Sequence, residues 1–506
     1  MMGDTMSQPL VERYQPQIAG TLSCYDRVVV TGTLPQICYP EGMTHYLHIH
    51  EIPIFGYPDF ANGLRGQLRE RAEALAGQAG IKIEHIGRGG IRKEAVVDRV
   101  LQQRGNHPGL VHILSAMESC SRYQPWCNKA TGEVSVKRRE GKCLHYYFYF
   151  MDPEFGLVHL RVPTWAPFRL QFCCNGHSWL AHQLSAAGIG YRMEDNAFAR
   201  IDDWGRAQQL ADSLVATDLH HVLDEYAALC CPVADVFNQT YHWSLMEVEY
   251  ATDLAFRSSG FLKPVYEQLV RQTVLTVKAE QIATFLGRRI TPQLAQEVGS
   301  FYATRPWGTC VKHRFGKISI KMYDKGGIVL RIETTANDVS FFKHHRQVEH
   351  RNGPPTMELA EVRKTIYSLP YLREIMLGCN HRYLAHLSAL DDFSGGVRTL
   401  DRLTKPREVD GKTVKGVNFF APGDKALLHA LQDPRVNITG IRRGELLPGL
   451  GMFTPSGLSR QLRRLLDLRV IKRIAGTYRY YLTKAGRAAI AAGERLTEAI
   501  IIPAMI

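Results

Sequence analysis

The sequence has no long hydrophobic run. None of its 506 residues lie in a stretch that approaches ~20 consecutive apolar residues, the length that a membrane-crossing helix needs. The N-terminus also lacks a cationic segment followed by an apolar one, which is the pattern of a secretory leader. We therefore expect no membrane partner. The eleven cysteines, with no export signal beside them, favour reduced thiols and a cytoplasmic location.

Internal repeats and low-complexity tracts are also missing, which argues against solenoids and long disordered tails. With 45% hydrophobic and 22% charged residues, the composition is that of an ordinary globular protein. The length allows two to four domains with ample cores. We expect a multi-domain protein of the α/β (α+β) class.

Positive charge is concentrated near the C-terminus. The whole sequence has 62 Lys+Arg and 49 Asp+Glu, a net charge of +13. Residues 397–495 contain 20 basic and 8 acidic residues, whereas the rest of the chain contains 42 and 41. Binding to phosphate groups requires such a concentration of cations. A solvated basic face that is used only for protein contacts is the alternative.

Helical patterns dominate residues 424–492, which follow a polar, basic linker expected at 393–423. A short apolar-periodic run at 427–431, and a second segment at 441–447 that is closed by Pro448-Gly449, precede a longer helix that starts at Thr454. Thr454 is a good N-cap, and Pro455 suits the first helical position, where its missing N–H costs nothing. The core face of this helix is expected to consist of Leu458, Leu462 and Leu465.

Two basic strands, 470–474 and 478–482, follow this helix and are joined by a turn, so they predict a hairpin before a last helix. Residues 468–473 and 478–487 resemble the wing of MarR- or PadR-type winged helix-turn-helix regulators. The resemblance implies a winged-helix domain that binds duplex DNA. The residues expected to contact DNA are Ser456, Ser459, Arg460, Arg463, Arg464, Lys472, Arg473, Arg479 and Lys484.

Strands and helices alternate in the N-terminal part of the chain, residues 21–162. The apolar run at 27–32 is typical of a buried strand, further strands are expected at 81–86 and 110–114, and helical patterns separate the three. This alternation favours an α/β domain with parallel strand pairing. A helical connecting region is expected at 163–240.

Two features of the N-terminal part are candidate binding sites. Residues 161–169 interleave aromatic and basic residues between prolines, a pattern suited to stacking an unpaired base and holding phosphates; the candidates are Arg161, Trp165, Phe168 and Arg169. A packed corner between domains is the alternative.

His48-Ile49-His50 matches the two-histidine pattern that rolling-circle nickases use for metal, so His48 and His50 are candidate ligands. In a helix, however, the two imidazoles would diverge.

The central region, residues 241–392, contains one strand, helices and then three strands, an order compatible with a ferredoxin-like sheet. Apolar and polar residues alternate in the last two strands, and matching the apolar faces fixes the parity of their register. A three-residue connection at 325–327 satisfies that parity. It places Lys321 opposite Arg331 and Ser319 opposite Glu333, with Tyr323 on the same polar face.

The candidate catalytic residues are therefore Tyr323, Lys321, Arg331 and Glu333. The tyrosine would attack a phosphodiester, the cations would stabilise charge, and Glu333 would bind Mg²⁺ or Mn²⁺ or position a water. Residues 320–325 and 330–333 resemble a stretch of the rolling-circle replication initiators of plasmids and filamentous phages, which implies strand nicking. The two-histidine pattern of that family is absent from this region. A solvated sheet face with cross-strand ion pairs is the alternative.

Three functional hypotheses follow. The first is a DNA-binding protein of a mobile element or replicon, in which the winged helix docks on duplex DNA and the central sheet handles a single strand. The second is a non-enzymatic transcription regulator with a large ligand- or partner-binding region. The third is an RNA-binding protein that uses the aromatic and basic loop at 161–169.

Overall fold

The chain consists of two compact units, Met1–Asp391 and Asp392–Ile506. The computed structural model describes residues 9–87, 91–292, 294–391, 394–433, 436, 439–497, 501–502 and 505. Within these ranges no helix is both long and apolar enough to cross a membrane.

One sheet of eleven strands forms the framework of the first unit. Its strands, in chain order, are β1 (Ile18–Thr33), β2 (Glu84–Ile86), β3 (Gly109–Cys127), β4 (Val134–Asp152), β5 (Gly156–Pro163), β6 (Leu170–Asn175), β9 (His242–Phe256), β10 (Val298–Arg305), β11 (Gly308–Phe315), β12 (Ile318–Lys325) and β13 (Val329–Ala336). Two separate hairpins are β7 (Tyr191–Glu194) with β8 (Ala197–Ile201), and β14 (Lys343–His350) with β15 (Gly353–Glu361).

Helices of the first unit connect and cover these strands. They are α1 (Pro9–Arg13), α2 (Pro40–Ile49), α3 (Tyr57–Gln78), α4 (Lys93–Arg104), α5 (Gly176–Ala186), α6 (Trp204–Asp212), α7 (Ala216–Cys230), α8 (Val233–Val236), α9 (Ser259–Thr276), α10 (Ala279–Phe285) and α11 (Leu369–Asp391).

The strand order β10-β11-β12-β13-β9-β1-β6-β5-β4-β3-β2 shows two halves with the same connectivity. Apart from β2, which lies at the outer edge of the first half, each half has a first strand (β1 or β9) that is followed by helices and by a four-strand antiparallel meander, whose last strand returns beside the first. β1 and β9 pair antiparallel at the centre, with Tyr25 opposite Tyr250. The regions expected as domains 21–162 and 241–392 thus share one sheet, and the region 163–240, expected to be a helical connection, adds β6 to it.

Parallel pairing, which the alternation of strands and helices predicts, occurs only between β2 and β3 among the described strands. β1 instead lies between β6 and β9 and is antiparallel to both. The parallel prediction is therefore wrong for β1. The physical reason is that hairpins, rather than helical crossovers, return the chain along β3 to β6.

The two faces of the sheet differ in character. Ile318, Ile320 and Met322 of β12 belong to the main apolar core. Ser319, Lys321 and Tyr323 alternate with them and therefore lie on the opposite face. Two small apolar clusters cover parts of that opposite face, one below α4 and the other where Ala197 of β8 meets Ala255 and Val329. Polar side chains of the central strands occupy this face as well.

The second unit has its own core of buried leucine, isoleucine and valine side chains. Its elements are α12 (Ser394–Thr404), β16 (Arg407–Val409), β17 (Lys412–Val414), α13 (Pro422–Ala430), α14 (Arg443–Leu446), α15 (Pro455–Asp467), β18 (Ile471–Arg473), β19 (Tyr480–Leu482) and α16 (Lys484–Leu496). The segment expected as a linker contains a helix and a hairpin, and Leu403 and Val417 are buried in this core. Of the expected linker and the domain after it, residues 393, 434, 435, 437 and 438 lie outside the described residues.

Candidate functional site

One face of α15 presents hydroxyl and guanidinium groups to solvent. Thr454 caps the helix, as predicted, by accepting a hydrogen bond from the Gly457 N–H at 3.1 Å. The predicted leucine face of α15 is buried in the core, which leaves Ser456, Arg460 and Arg463 exposed. Within the described part of the chain Arg460 has no ion-pair partner, and Arg463 pairs only with Asp467 of its own helix, at 3.2 Å. Both guanidinium groups therefore remain accessible to an anion.

The start of α14 adds two exposed arginines to this surface. Arg443 Nη1 donates a hydrogen bond to Ser459 Oγ at 2.9 Å, and the same hydroxyl donates to the Pro455 carbonyl at 3.0 Å. Ser459 is thus half-buried and engaged, while Arg442 and Arg443 are exposed beside α15. Neither arginine was among the predicted DNA contacts, because nothing in the sequence shows that the segment 441–447 packs beside the helix that starts at Thr454.

Two of the predicted DNA contacts, Arg464 and Arg479, also bind other parts of the second unit. Arg464 forms an ion pair with Asp424 of α13, and its side chain is only 15% exposed. Arg479 donates from Nη1 to the carbonyl oxygen of Gly440 at 2.9 Å. Both side chains hold elements of the second unit together, and both residues are only partly exposed.

The hairpin β18–β19 is extended by a third segment. Ile471 pairs with Leu482 across the hairpin, and Ile441 exchanges backbone hydrogen bonds of 3.0 and 2.9 Å with Tyr480 on its other side. Lys472 and Arg473 are exposed on β18, and Lys484 is exposed in the first turn of α16. The predicted cations of the hairpin, apart from Arg479, therefore point to solvent.

In the central sheet, the structure brings Tyr323, Lys321 and Glu333 together. Tyr323 OH donates to Glu333 Oε2 at 2.5 Å, and Lys321 Nζ donates to Glu333 Oε1 at 2.5 Å and to Glu249 Oε1 at 3.1 Å. The prediction of which side chains of β12 and β13 share a face is confirmed. The predicted cross-strand partners are wrong, because the two strands are shifted by two residues relative to the predicted register. Lys321 lies opposite Glu333, and Tyr323 lies opposite Arg331.

Arg331 is the centre of a buried ionic network. Its Nε and Nη2 donate to the two oxygens of Asp253, each at 2.7 Å, and Nη1 donates to Asp26 Oδ2 at 3.3 Å. His177 lies between Asp26 and Arg331: its Nδ1 is 3.1 Å from Asp26 Oδ1, and its Nε2 is 2.9 Å from Arg331 Nη2. Arg331 is 0% exposed, so its charge is used inside the protein and is not available to a phosphate group.

Burial also limits Tyr323 as a nucleophile. Its side chain is 8% exposed, and burial, followed by the charge of Glu333, raises the pKa of Tyr323 well above its ordinary value. The phenol therefore stays protonated near neutral pH. Its hydrogen bond to Glu333 is nevertheless the arrangement of a hydroxyl next to a general base.

Three carboxylates around Lys321, those of Asp26, Glu249 and Glu333, have oxygens within 4.8 Å of one another. Mg²⁺ and Mn²⁺ prefer such oxygen ligands. Lys321 Nζ, however, already contacts Glu249 and Glu333, and Arg331 already contacts Asp26. The residues present thus do not fit a divalent cation, because ammonium and guanidinium groups neutralise the same oxygens.

The aromatic and basic loop is mainly a packed corner, which was the alternative interpretation. Phe168 is 0% exposed and packs near Phe237, so its predicted stacking role is wrong. Arg161 donates from Nη2 to Glu118 Oε2 at 2.9 Å. Trp165 and Arg169 remain accessible, and both line a cavity of about 170 Å³.

His48 and His50 lie at the end of α2 and are exposed. The ring of His50 stacks on Tyr46 with centroids 4.2 Å apart. Among the described residues no cluster of three or more potential ligands includes either histidine. The structure therefore adds nothing in support of a metal role for His48 and His50.

Comparisons with protein-family models, with curated proteins and with solved structures find no match to this chain.

Proposed function

We propose that the second unit is a winged helix that binds duplex DNA. The observation that carries the proposal is the exposed face of α15, where Ser456, Arg460 and Arg463 are turned to solvent by the burial of the leucine face. α13, α14 and α15 supply the helices, and the segment at Ile441 with β19 and β18 supplies the small sheet and its wing. The segment 397–495 also carries most of the positive excess of the chain.

In this proposal, α15 enters the major groove with its N-terminal end foremost, as the second helix of a helix-turn-helix does. Ser456 and Arg460 then face base edges. Lys472, Arg473 and Lys484 face phosphates from the hairpin and from the start of α16. Arg442 and Arg443 extend the same cationic surface from α14.

Alanine variants of the helix and of the hairpin test the proposal separately. Arg460→Ala should reduce discrimination between DNA sites, by roughly 1–3 kcal/mol for a lost base contact. Lys472→Ala with Arg473→Ala should weaken binding to all duplexes alike and make the salt dependence shallower. Fluorescence anisotropy with a selected site and a scrambled site measures both effects. Identical behaviour of the helix and hairpin variants would contradict the assignment of the two elements.

We further propose, on the hydrogen bond between Tyr323 and Glu333, that the central sheet processes a DNA strand, as expected of a mobile-element or replicon protein. Tyr323→Phe keeps the ring and removes the hydroxyl. It should abolish a covalent protein–DNA adduct that survives denaturation, while duplex binding stays intact. If the wild-type protein forms no such adduct, either without metal or with Mg²⁺ or Mn²⁺ added, Tyr323 has a structural role, and the non-enzymatic DNA-binding regulator is the better description. RNA competing better than duplex DNA would favour the RNA-binding alternative.

A further inference from the structure

A cavity of about 460 Å³ opens in the first unit where β5 ends and the ribbon of β3 and β4 continues beyond it. Its lining contains four cations and one carboxylate. The cations are Arg65 and Arg69 of α3, Arg122 of β3 and Lys142 of β4, and the carboxylate is Glu73. The first unit as a whole has 42 basic and 39 acidic residues, so this cavity is far more cationic than its surroundings.

Most of these cations lack a counter-charge. Arg69 pairs with Glu73 at 2.8 Å. Over the described residues, Arg65, Arg122 and Lys142 have no ion-pair partner. Arg65 and Arg69 are also one helical turn apart, where like charges repel each other. A bound anion would remove that repulsion.

Aromatic side chains form another wall of the cavity. Trp165 is held in place because its Nε1 donates to the Tyr123 carbonyl at 3.1 Å and its ring packs edge-on to Tyr57. Tyr146 lines the same cavity and is 5% exposed. A ring that is already fixed loses little conformational entropy when a ligand stacks on it. The smaller cavity that shares Trp165 is lined by Arg138, Arg161 and Arg169 and has no carboxylate in its lining.

We propose that the larger cavity is a nucleotide-binding site, in which the cations take the phosphate and Trp165 contacts the base. Its volume lies within the range of ordinary small-ligand sites, roughly 300–1,000 Å³. Aromatic rings and cations side by side are the features that bind unpaired nucleotides. The nucleotide is either free in solution or part of a single strand, since both carry the same phosphate and base. This site is independent of the duplex-binding surface of the second unit.

The test uses the full-length protein with three probes: ATP, a 5′-phosphorylated single-stranded DNA of about ten nucleotides, and inorganic phosphate. Binding is measured by titration calorimetry for the wild type and for the double variant Arg65→Ala with Arg69→Ala. Both arginines are exposed, so their removal should leave the melting temperature unchanged. Arg71→Ala is the matched control, because Arg71 is exposed on the same helix but does not line the cavity.

We expect ATP or the single strand to bind the wild type and the control equally. Each should bind the double variant about tenfold more weakly, which corresponds to a loss of ~1.4 kcal/mol of binding free energy. ATP binding identifies a site for free nucleotides, and binding of the strand alone identifies a strand site. No binding of either probe, equal binding by the double variant, or inorganic phosphate binding as tightly as both probes would overturn the proposal. Duplex affinity, measured on the same preparations, reports separately on the second unit.

Discussion

Arg331 illustrates how a residue that the sequence marks as catalytic becomes a structural residue in the fold. Its side chain is fully buried and contacts Asp253, Asp26 and His177, which come from distant parts of the chain. Burial alone would raise the pKa of Asp253, but the adjacent Arg331 lowers it below its usual range. The network therefore joins the two halves of the sheet, since Asp26 lies on β1 and Asp253 on β9.

Arg331→Met should therefore destabilise the first unit strongly. Removing one partner of a buried ion pair leaves uncompensated charge and typically costs about 3–5 kcal/mol. Arg139→Ala, a change at an exposed arginine on β4 in the other half of the sheet, should alter stability by less than ~0.5 kcal/mol. Urea denaturation followed by a probe in the first unit measures both. A loss below ~1 kcal/mol for Arg331→Met would show that the network does not stabilise the sheet.

Asp324 provides a prediction of pH dependence. Burial raises the pKa of Asp324 to about 6, above the unfolded value near ~3.9. The folded protein thus binds more protons than the unfolded chain between these values, and its stability should fall as the pH rises from about 4 to 6. Asp324→Asn removes the charge and keeps an oxygen for the Gly327 N–H, which now donates to Oδ1 at 2.8 Å.

At pH 7 the Asp324→Asn variant should be more stable than the wild type by about 1 kcal/mol. This value is smaller than the full free energy that the pKa shift of Asp324 implies, because the side chain is partly exposed and solvent screens its charge. The difference should shrink towards pH 4. Thermal melts between pH 4 and 7 provide the measurement. A difference that is independent of pH, or a variant that is less stable at pH 7, would contradict the effect of burial on this carboxyl.

At the residue level, the sequence predicted which side chains of β12 and β13 share a face, because alternation sets parity. Alternation could not determine which residue of β13 lies opposite a given residue of β12. Connections at 325–327 and at 326–328 both keep the apolar residues on one face, and the structure uses the second, with Lys325 opposite Val329. Asp26, His177 and Asp253 were not predicted, because only the tertiary fold brings them to Arg331, as it brings Glu249 to Lys321.

At the element level, predictions succeeded where local chemistry was strong. Thr454, Pro455 and the leucine spacing define α15, and the basic hairpin after it is present as β18 and β19. β10 was not predicted. It is an edge strand whose residues 301–305 are all exposed, so it has no alternation of buried and exposed positions that could have indicated a strand.

The packing of α16 on β18 depends on a glycine in the first turn of the helix. A Cβ atom at Gly486 would lie 2.1 Å from the Val470 carbonyl oxygen. Gly486→Ala should therefore destabilise the second unit by about 1–3 kcal/mol. Gly444→Ala is the matched control: its Cβ meets nothing within 4 Å, and alanine favours a helix over glycine by ~1 kcal/mol. Equal melting temperatures for the two variants would contradict this packing.

On the scale of the whole molecule, charge is divided between two compact units. The first holds a sheet whose ionic groups largely neutralise one another, and the second holds most of the net charge on a small helical core. Sequence composition predicted this division of charge. It did not predict that the N-terminal and central regions share one sheet, because the pairing of β1 with β9 joins residues more than 200 positions apart.

The salt dependence of duplex binding tests the central proposal most directly. The full-length protein is compared with a variant in which Arg460, Arg463, Lys472 and Arg473 are changed to alanine, and with Lys412→Ala, a change at an exposed cation on the other hairpin of the same unit. Affinity is measured between about 50 and 200 mM salt. We predict a steep decline for the wild type and for Lys412→Ala, and for the quadruple variant a slope shallower by at least ~2 in log affinity against log salt, since Lys472 and Arg473 are assigned to phosphates. Absence of duplex binding at low salt, or the same slope for all three proteins, would contradict the account.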